Sequence, residues 1–172
     1  MKDHPYFDFL HLVRKPARYI GREYFSRHGG APKKYGFLLV FPDLYEIGMS
    51  HMGMRIIYSM LNAEPDISCE RLFAPDTDLE NELRARNAPL VSLERRRSPA
   101  DFDICGFSLQ HELNYTNVLT VLELGGIPLH SRDRTNEHPF VIGGGPLATH
   151  PEPIADFFDF FYVGDAEEKL AG

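Results

Sequence analysis

The sequence predicts an α/β fold: a doubly wound, mainly parallel, Rossmann-like sheet with an N-terminal arm. Three observations carry that expectation. The run at 35–41 is short, continuously apolar and ends in a polar loop, as a strand covered on both faces does. A second such run at 103–109 is followed by residues at helical spacing. A third, at 140–142, ends in Gly143-Gly144-Gly145-Pro146. Strands alternating with helices give an open parallel sheet, which binds ligands at the loops after its strands.

Residues 1–34 form the arm, with Tyr6, Phe7 and Phe9 followed by Arg14, Lys15 and Arg18. A short helix is expected at 5–13 and a flexible break at 28–32. The arm's aromatics need a surface to pack on, in this domain or in a neighbour. The Rossmann-like domain occupies 35–172. After its first strand, Met52, Ile56 and Met60 mark a helix over 49–61. A second strand is expected at 69–73. Thr77 and Glu80 have the spacing of a capping box, opening a helix that stops near Asn87. A weak third strand is expected at 90–93. The fourth strand is the apolar run at 103–109. Tyr115, Val118, Leu119 and Leu122 follow the helical rule over 112–124, and Gly125-Gly126 ends that helix. The fifth strand covers 140–142 and a sixth 160–163. A further helix is expected to begin at 164 and to be cut short, as in a fragment of a longer protein.

Composition narrows the function. The 172 residues suffice for one compact domain. A formal charge of −7 disfavours general nucleic-acid binding. The basic run Arg95-Arg96-Arg97 reads as a solvated loop, because a phosphate patch needs more cations on one face. The only cysteines, Cys69 and Cys105, lie in strand-like runs and read as buried apolar residues. Two thiols cannot make a closed zinc site or an iron–sulfur cluster by themselves. No apolar run reaches about 18 residues and no signal peptide is visible, so a cytoplasmic chain with no membrane partner is expected.

Three loops are candidates for chemistry. The first holds Asp43, Glu46, Gly48, Ser50 and His51. Its carboxylates and hydroxyl suit a polar ligand, and its glycines allow close backbone approach; turn and helix capping explains the same residues. The second holds Ser108, Leu109 and Gln110. Its serine lacks the G-x-S-x-G setting of a hydrolase nucleophile, and binding or helix capping remain open. The third holds Gly143, Gly144 and Gly145, which strip side chains from a strand end. Flat-ligand binding and a tight turn both account for them. Neither a dinucleotide fingerprint nor a P-loop is present.

Several blocks, taken jointly, resemble a family. They are Phe41-Pro-Asp-Leu-Tyr-Glu-Ile-Gly-Met-Ser-His51, Phe73-Ala-Pro75, Gly106-Phe-Ser-Leu-Gln110, Asn114-Tyr-Thr-Asn-Val118, Ile142-Gly-Gly-Gly-Pro146, Pro151-Glu-Pro153 and Val163-Gly-Asp165. They resemble the N-terminal portion of radical S-adenosylmethionine (SAM) proteins that carry a cobalamin-binding-like domain before a radical barrel. The resemblance spans about residues 18–170. It implies a domain that holds cobalamin, or a substrate, against the downstream barrel, which would be its partner. S-adenosylmethionine and a 4Fe–4S cluster are expected only in that barrel, through a C-x-x-x-C-x-x-C motif absent from this chain. The first loop departs from the better-known D-x-H-x-x-G pattern, whose histidine coordinates cobalt from below. Asp43 and Gly48 match, but Tyr45 takes the histidine position. Cobalamin would therefore be held without a lower histidine. The rival reading is a docking domain of the same fold without cofactor. An independent enzyme built on Asp43, Glu46 and His51 ranks last, because no nucleophile–base pair supports it.

Overall fold

A computed structural model describes residues 4–27 and 33–166. Five strands form one parallel sheet: β1 (Tyr35–Phe41), β2 (Ile67–Phe73), β3 (Ile104–Ser108), β4 (Phe140–Gly144) and β5 (Phe160–Phe161). Their order is β2-β1-β3-β4-β5. The winding therefore reverses between β1 and β3, where a doubly wound sheet opens a crevice. The helices are α1 (Tyr45–Ser50), α2 (Met52–Ala63), α3 (Thr77–Arg86) and α4 (Tyr115–Leu124).

The strands are apolar on both sides because both sides are buried, though unequally. Leu38, Val40, Cys105, Phe107 and Val141 face the larger core. There they meet Leu79 and Leu83 of α3, Val118, Val121 and Leu122 of α4, and Tyr6, Phe9, Leu10 and Val13 of the arm. Tyr6 and Phe9 of the arm thus pack on this domain while Phe7 stays exposed, and the Tyr6 hydroxyl donates to the Pro89 carbonyl at 2.9 Å. On the other face, Phe37, Leu39, Phe41, Cys69 and Phe73 pack under Met54, Tyr58 and Leu61 of α2. Toward β4 and β5 that face stays open, with Phe140 62% and Phe160 50% exposed.

Several expected elements are redrawn. The helix expected at 49–61 is two helices that begin closer to β1. His51 breaks them with an extended backbone (φ −77°, ψ 117°), and its Nδ1 accepts the Met54 N–H at the start of α2. Asp76, not Thr77, caps α3: its carboxylate accepts the Thr77 N–H at 2.8 Å, and with Leu79 at the third helical position the expected capping box does not form. Segment 90–93 is not a strand. Its one backbone bond to β2 is Leu93 N–H to Arg71 O at 3.0 Å, the Ser92 hydroxyl donates to Glu70 of that strand at 2.6 Å, and the segment then turns back as Ser92 N–H reaches Arg97 O. The helix at 112–124 begins with a 3₁₀ turn, Glu112–Asn114. The strand at 140–142 continues through Gly143 and Gly144, whereas pairing of the last strand stops at Phe161. The arm segment 5–13 forms turns and a 3₁₀ turn, Leu10–Leu12, rather than a regular helix. The break expected at 28–32, and nearly all of the helix expected from 164, lie outside the described residues. Among the described residues, no helix is long and apolar enough to cross a membrane.

Candidate functional site

A cavity of about 430 Å³ lies at the carboxyl edge of β1, β3 and β4, on the face only partly covered by α2. Its walls are apolar: Phe37 and Leu39 from β1, Ile57 from α2 and Ile142 from β4. At Gly106 and Gly144, β3 and β4 carry no side chain on that face. An apolar pocket with a few convergent polar groups has the composition of a small-molecule site.

The three consecutive glycines do different work. A Cβ on Gly143 would stand 2.7 Å from the Phe161 ring and 3.1 Å from Leu109, so Gly143 is a packing residue. Gly145 adopts φ 96°, and a Cβ there would meet the Leu109 carbonyl at 2.8 Å, so it makes the turn. Gly144 alone opens freely. A Cβ on it would meet nothing nearer than the Tyr162 carbonyl at 4.0 Å, and its φ is not positive. Gly106 is filled by a neighbour, since its Cβ would lie 2.6 Å from the tip of Phe37.

The polar lining comes chiefly from Ser108, Gln110 and His51. The Gln110 amide donates to Ser108 Oγ at 2.8 Å, which leaves the serine proton available to a ligand. His51 borders the cavity with its Nδ1 accepting the Met54 N–H at 3.4 Å. In the neutral ring Nε2 then bears the proton, making His51 a donor rather than a metal ligand. Tyr162 and Asp165 close the far side, with the Tyr162 hydroxyl donating to the Asp165 carbonyl at 3.2 Å.

Other residues singled out in the sequence stand elsewhere. Leu109 lies next to the cavity in the chain but is fully buried in the larger core. Asp43 accepts the Leu44 N–H at 2.7 Å and the Asn114 amide at 3.0 Å, bracing the β1 loop against the 3₁₀ turn before α4. Glu46 pairs with Lys15 and Arg18 of the arm, both at 2.9 Å. The Lys15 ammonium, aided by Arg18, holds its carboxyl down to about 2. Gly48 sits under Phe73, where a Cβ would come within 2.2 Å of the ring. Ser50 Oγ donates to the Ile47 carbonyl at 2.8 Å. The Tyr45 hydroxyl donates to Glu23 at 3.1 Å and its ring meets Phe73 edge-on. None of these residues borders the cavity. Ile57 and Tyr162 do border it; neither residue type marks a site in a sequence, though Asp165 falls in a block quoted for the family resemblance.

An open parallel sheet with an apolar, glycine-floored cavity at its switch edge defines a doubly wound α/β domain. Residues 53–172 match the family described as radical SAM proteins, N-terminal, and the chain belongs to that family. It is also 25% identical over 130 residues to an uncharacterized protein of Methanocaldococcus jannaschii. The match covers 75% of this chain and 23% of that relative, so the chain spans about a quarter of the relative's length.

Proposed function

We propose that this domain positions a cofactor or substrate over the radical barrel of a longer enzyme, and that the group held is cobalamin without a lower histidine ligand. The observation that carries the reading is the open Gly144 backbone between apolar walls. A flat ring can approach that strand as no side chain would allow. The donor set suits the absence of a lower ligand, because Tyr45 is turned to Glu23 and His51 presents an N–H. Ser108 and Gln110 would offer hydrogen bonds to the cofactor's peripheral amides. Bound cobalamin would supply the radical or group-transfer chemistry, while the protein contributes binding and orientation.

A second reading is a docking domain without cofactor. Phe140, Phe160 and Val163, each at least half exposed, favour it. The experiment that separates the two is a mixture with hydroxocobalamin followed by desalting. Retained visible absorbance at one equivalent supports the cofactor reading, and colourless protein supports docking alone.

A further inference from the structure

At the opposite edge of the sheet a second cavity of about 360 Å³ is lined by Lys33, Lys34, Tyr35, Arg95, Arg97 and Asp103, with Gly36 and Ser68 at its base. We propose that it is a binding site for a phosphate group. Arg95-Arg96-Arg97 reads in the sequence as a solvated loop for want of further cations beside it. The fold supplies them, bringing Lys33 and Lys34 from before β1 to the same cavity. Four cations then line it against one lining carboxylate, Asp103, whose Oδ2 already accepts the Gly36 N–H at 2.7 Å.

The arginines are held in place by the fold. Ser92 N–H bonds Arg97 O, the Arg97 N–H bonds Ser92 Oγ at 3.0 Å, and the Arg95 N–H bonds Glu70 at 3.0 Å. With Arg96 at φ 62° the turn closes tightly, and Arg95 and Arg97 both reach the cavity. Arg97 lies over the Phe102 ring at 4.1 Å. It also passes Gly36, where a Cβ would crowd it at 3.2 Å. Behind both guanidinium groups is Glu70, 1% exposed. Its Oε1 lies 4.0 Å from Arg95 Nε and 3.8 Å from Arg97, and it has no hydrogen-bond partner among the described residues. The Arg95 side chain, only 28% exposed, therefore keeps its fork of donors unspent. A guanidinium fork matches two phosphate oxygens, and Lys34 adds a mobile point charge at the rim. Asp66 offsets part of the Lys34 charge, and Lys33 spends hydrogen bonds on the Asn62 and Glu64 carbonyls while keeping its charge. Arg95 accordingly carries the recognition, and Arg97, whose guanidinium also donates to the Asp101 carbonyl, adds charge beside it.

The test is calorimetric titration of the 172-residue chain with inorganic pyrophosphate at low ionic strength, where exposed charges are least screened. Wild type should bind. Arg95→Gln should weaken binding by about tenfold or more, the scale of a lost charged hydrogen bond. Arg95→Lys should recover part of the loss. Lys34→Glu, at an exposed position, serves as the second variant should Arg95→Gln fail to fold, and it should also weaken binding. Arg84→Ala, remote from this cavity, should bind as wild type does. Competition assigns the source of the phosphate: displacement of pyrophosphate by ATP but not by a short RNA indicates a free phosphoester, and displacement by RNA indicates a nucleic-acid backbone. Absence of pyrophosphate binding, or equal affinity in the folded Lys34→Glu and Arg95→Gln variants, would overturn the proposal.

Discussion

Replacing Gly144 with valine tests the carboxyl-edge cavity without disturbing the fold that makes it. The position is the last of β4 and has no positive φ, so a β-branched residue adopts its backbone. The new Cβ meets no protein atom within 4.0 Å, so the added methyl groups stand in the cavity rather than against the protein. A bound ring against that strand would be displaced or strained. Overpacking a fitted apolar contact costs about 1–3 kcal/mol, and about 1.4 kcal/mol is tenfold in affinity, so hydroxocobalamin binding should weaken by roughly 5- to 150-fold. Two companion variants isolate the cause. Gly145→Val forces φ 96° on a valine and pushes its Cβ into the Leu109 carbonyl, so it should lower stability before it lowers affinity. Tyr45→Phe removes a hydroxyl spent on Glu23, which should cost about 1 kcal/mol or less in stability and leave binding unchanged. Visible-absorbance titration reads the affinities and thermal melts read the fold. A folded Gly144→Val protein that binds as wild type does, or loss of binding in Tyr45→Phe, would refute the placement.

Three further outcomes follow from the same structure. Cys69 and Cys105 are buried and point into different cores, so anaerobic reconstitution of this chain should yield no stoichiometric four-iron cluster and no S-adenosylmethionine cleavage; iron and sulfide at four per chain would contradict it. Glu94→Ala leaves the buried Arg71 guanidinium without its 2.7 Å partner and should cost about 3–5 kcal/mol in chemical denaturation, whereas Arg84→Ala, at the exposed Glu80 and Glu123 pairs, should cost less than about 1 kcal/mol; comparable losses would mean the buried pair is misplaced. The Glu46 carboxyl is depressed from 4.5 to about 2 by Lys15 and Arg18, so its contribution to arm docking is complete above about 4.5 and is lost as pH falls toward 2. Amide exchange in the arm should rise across that window, and Glu46→Gln should remove that part of the dependence.

The fold was legible wherever hydrophobicity had one explanation. The continuous apolar runs at β1 and β3 mark strands covered on both faces, and their central places in the sheet follow, whereas β4 is as apolar but leaves Phe140 exposed on its open face. Segment 90–93 misleads for the same reason. Leu90, Val91 and Leu93 are buried, but Leu90 and Val91 join the larger core beside the arm and Leu93 joins the smaller one, in a strap that pairs only once with β2. Burial shows in composition, whereas pairing depends on a neighbour that composition does not name. The break at His51 was similarly hidden, because the apolar spacing runs through it undisturbed while a ring nitrogen, acting as a cap, restarts the helix.

The candidate site shows the opposite bias. Residues that advertise chemistry in a sequence, Asp43, Glu46 and Ser50, carry hydrogen-bonding groups that the fold itself requires, and the structure spends them on a loop brace, an arm latch and a helix end. A buried or tightly turned backbone must satisfy its donors and acceptors first, so the nearest polar side chains are claimed locally. What remains open to a ligand is what the fold has no use for. At Gly144 that is the absence of a side chain on an otherwise regular strand, and at Ser108 it is a hydroxyl proton left over once Gln110 has donated to the oxygen. The amino-edge cations follow the same logic: Arg95 is conspicuous because its guanidinium comes within 4.0 Å of Glu70 Oε1 without forming a hydrogen bond to it. Unspent capacity, rather than residue type, is therefore the quantity that ranks the sites of this domain. It becomes readable only when each donor and acceptor can be followed to its partner.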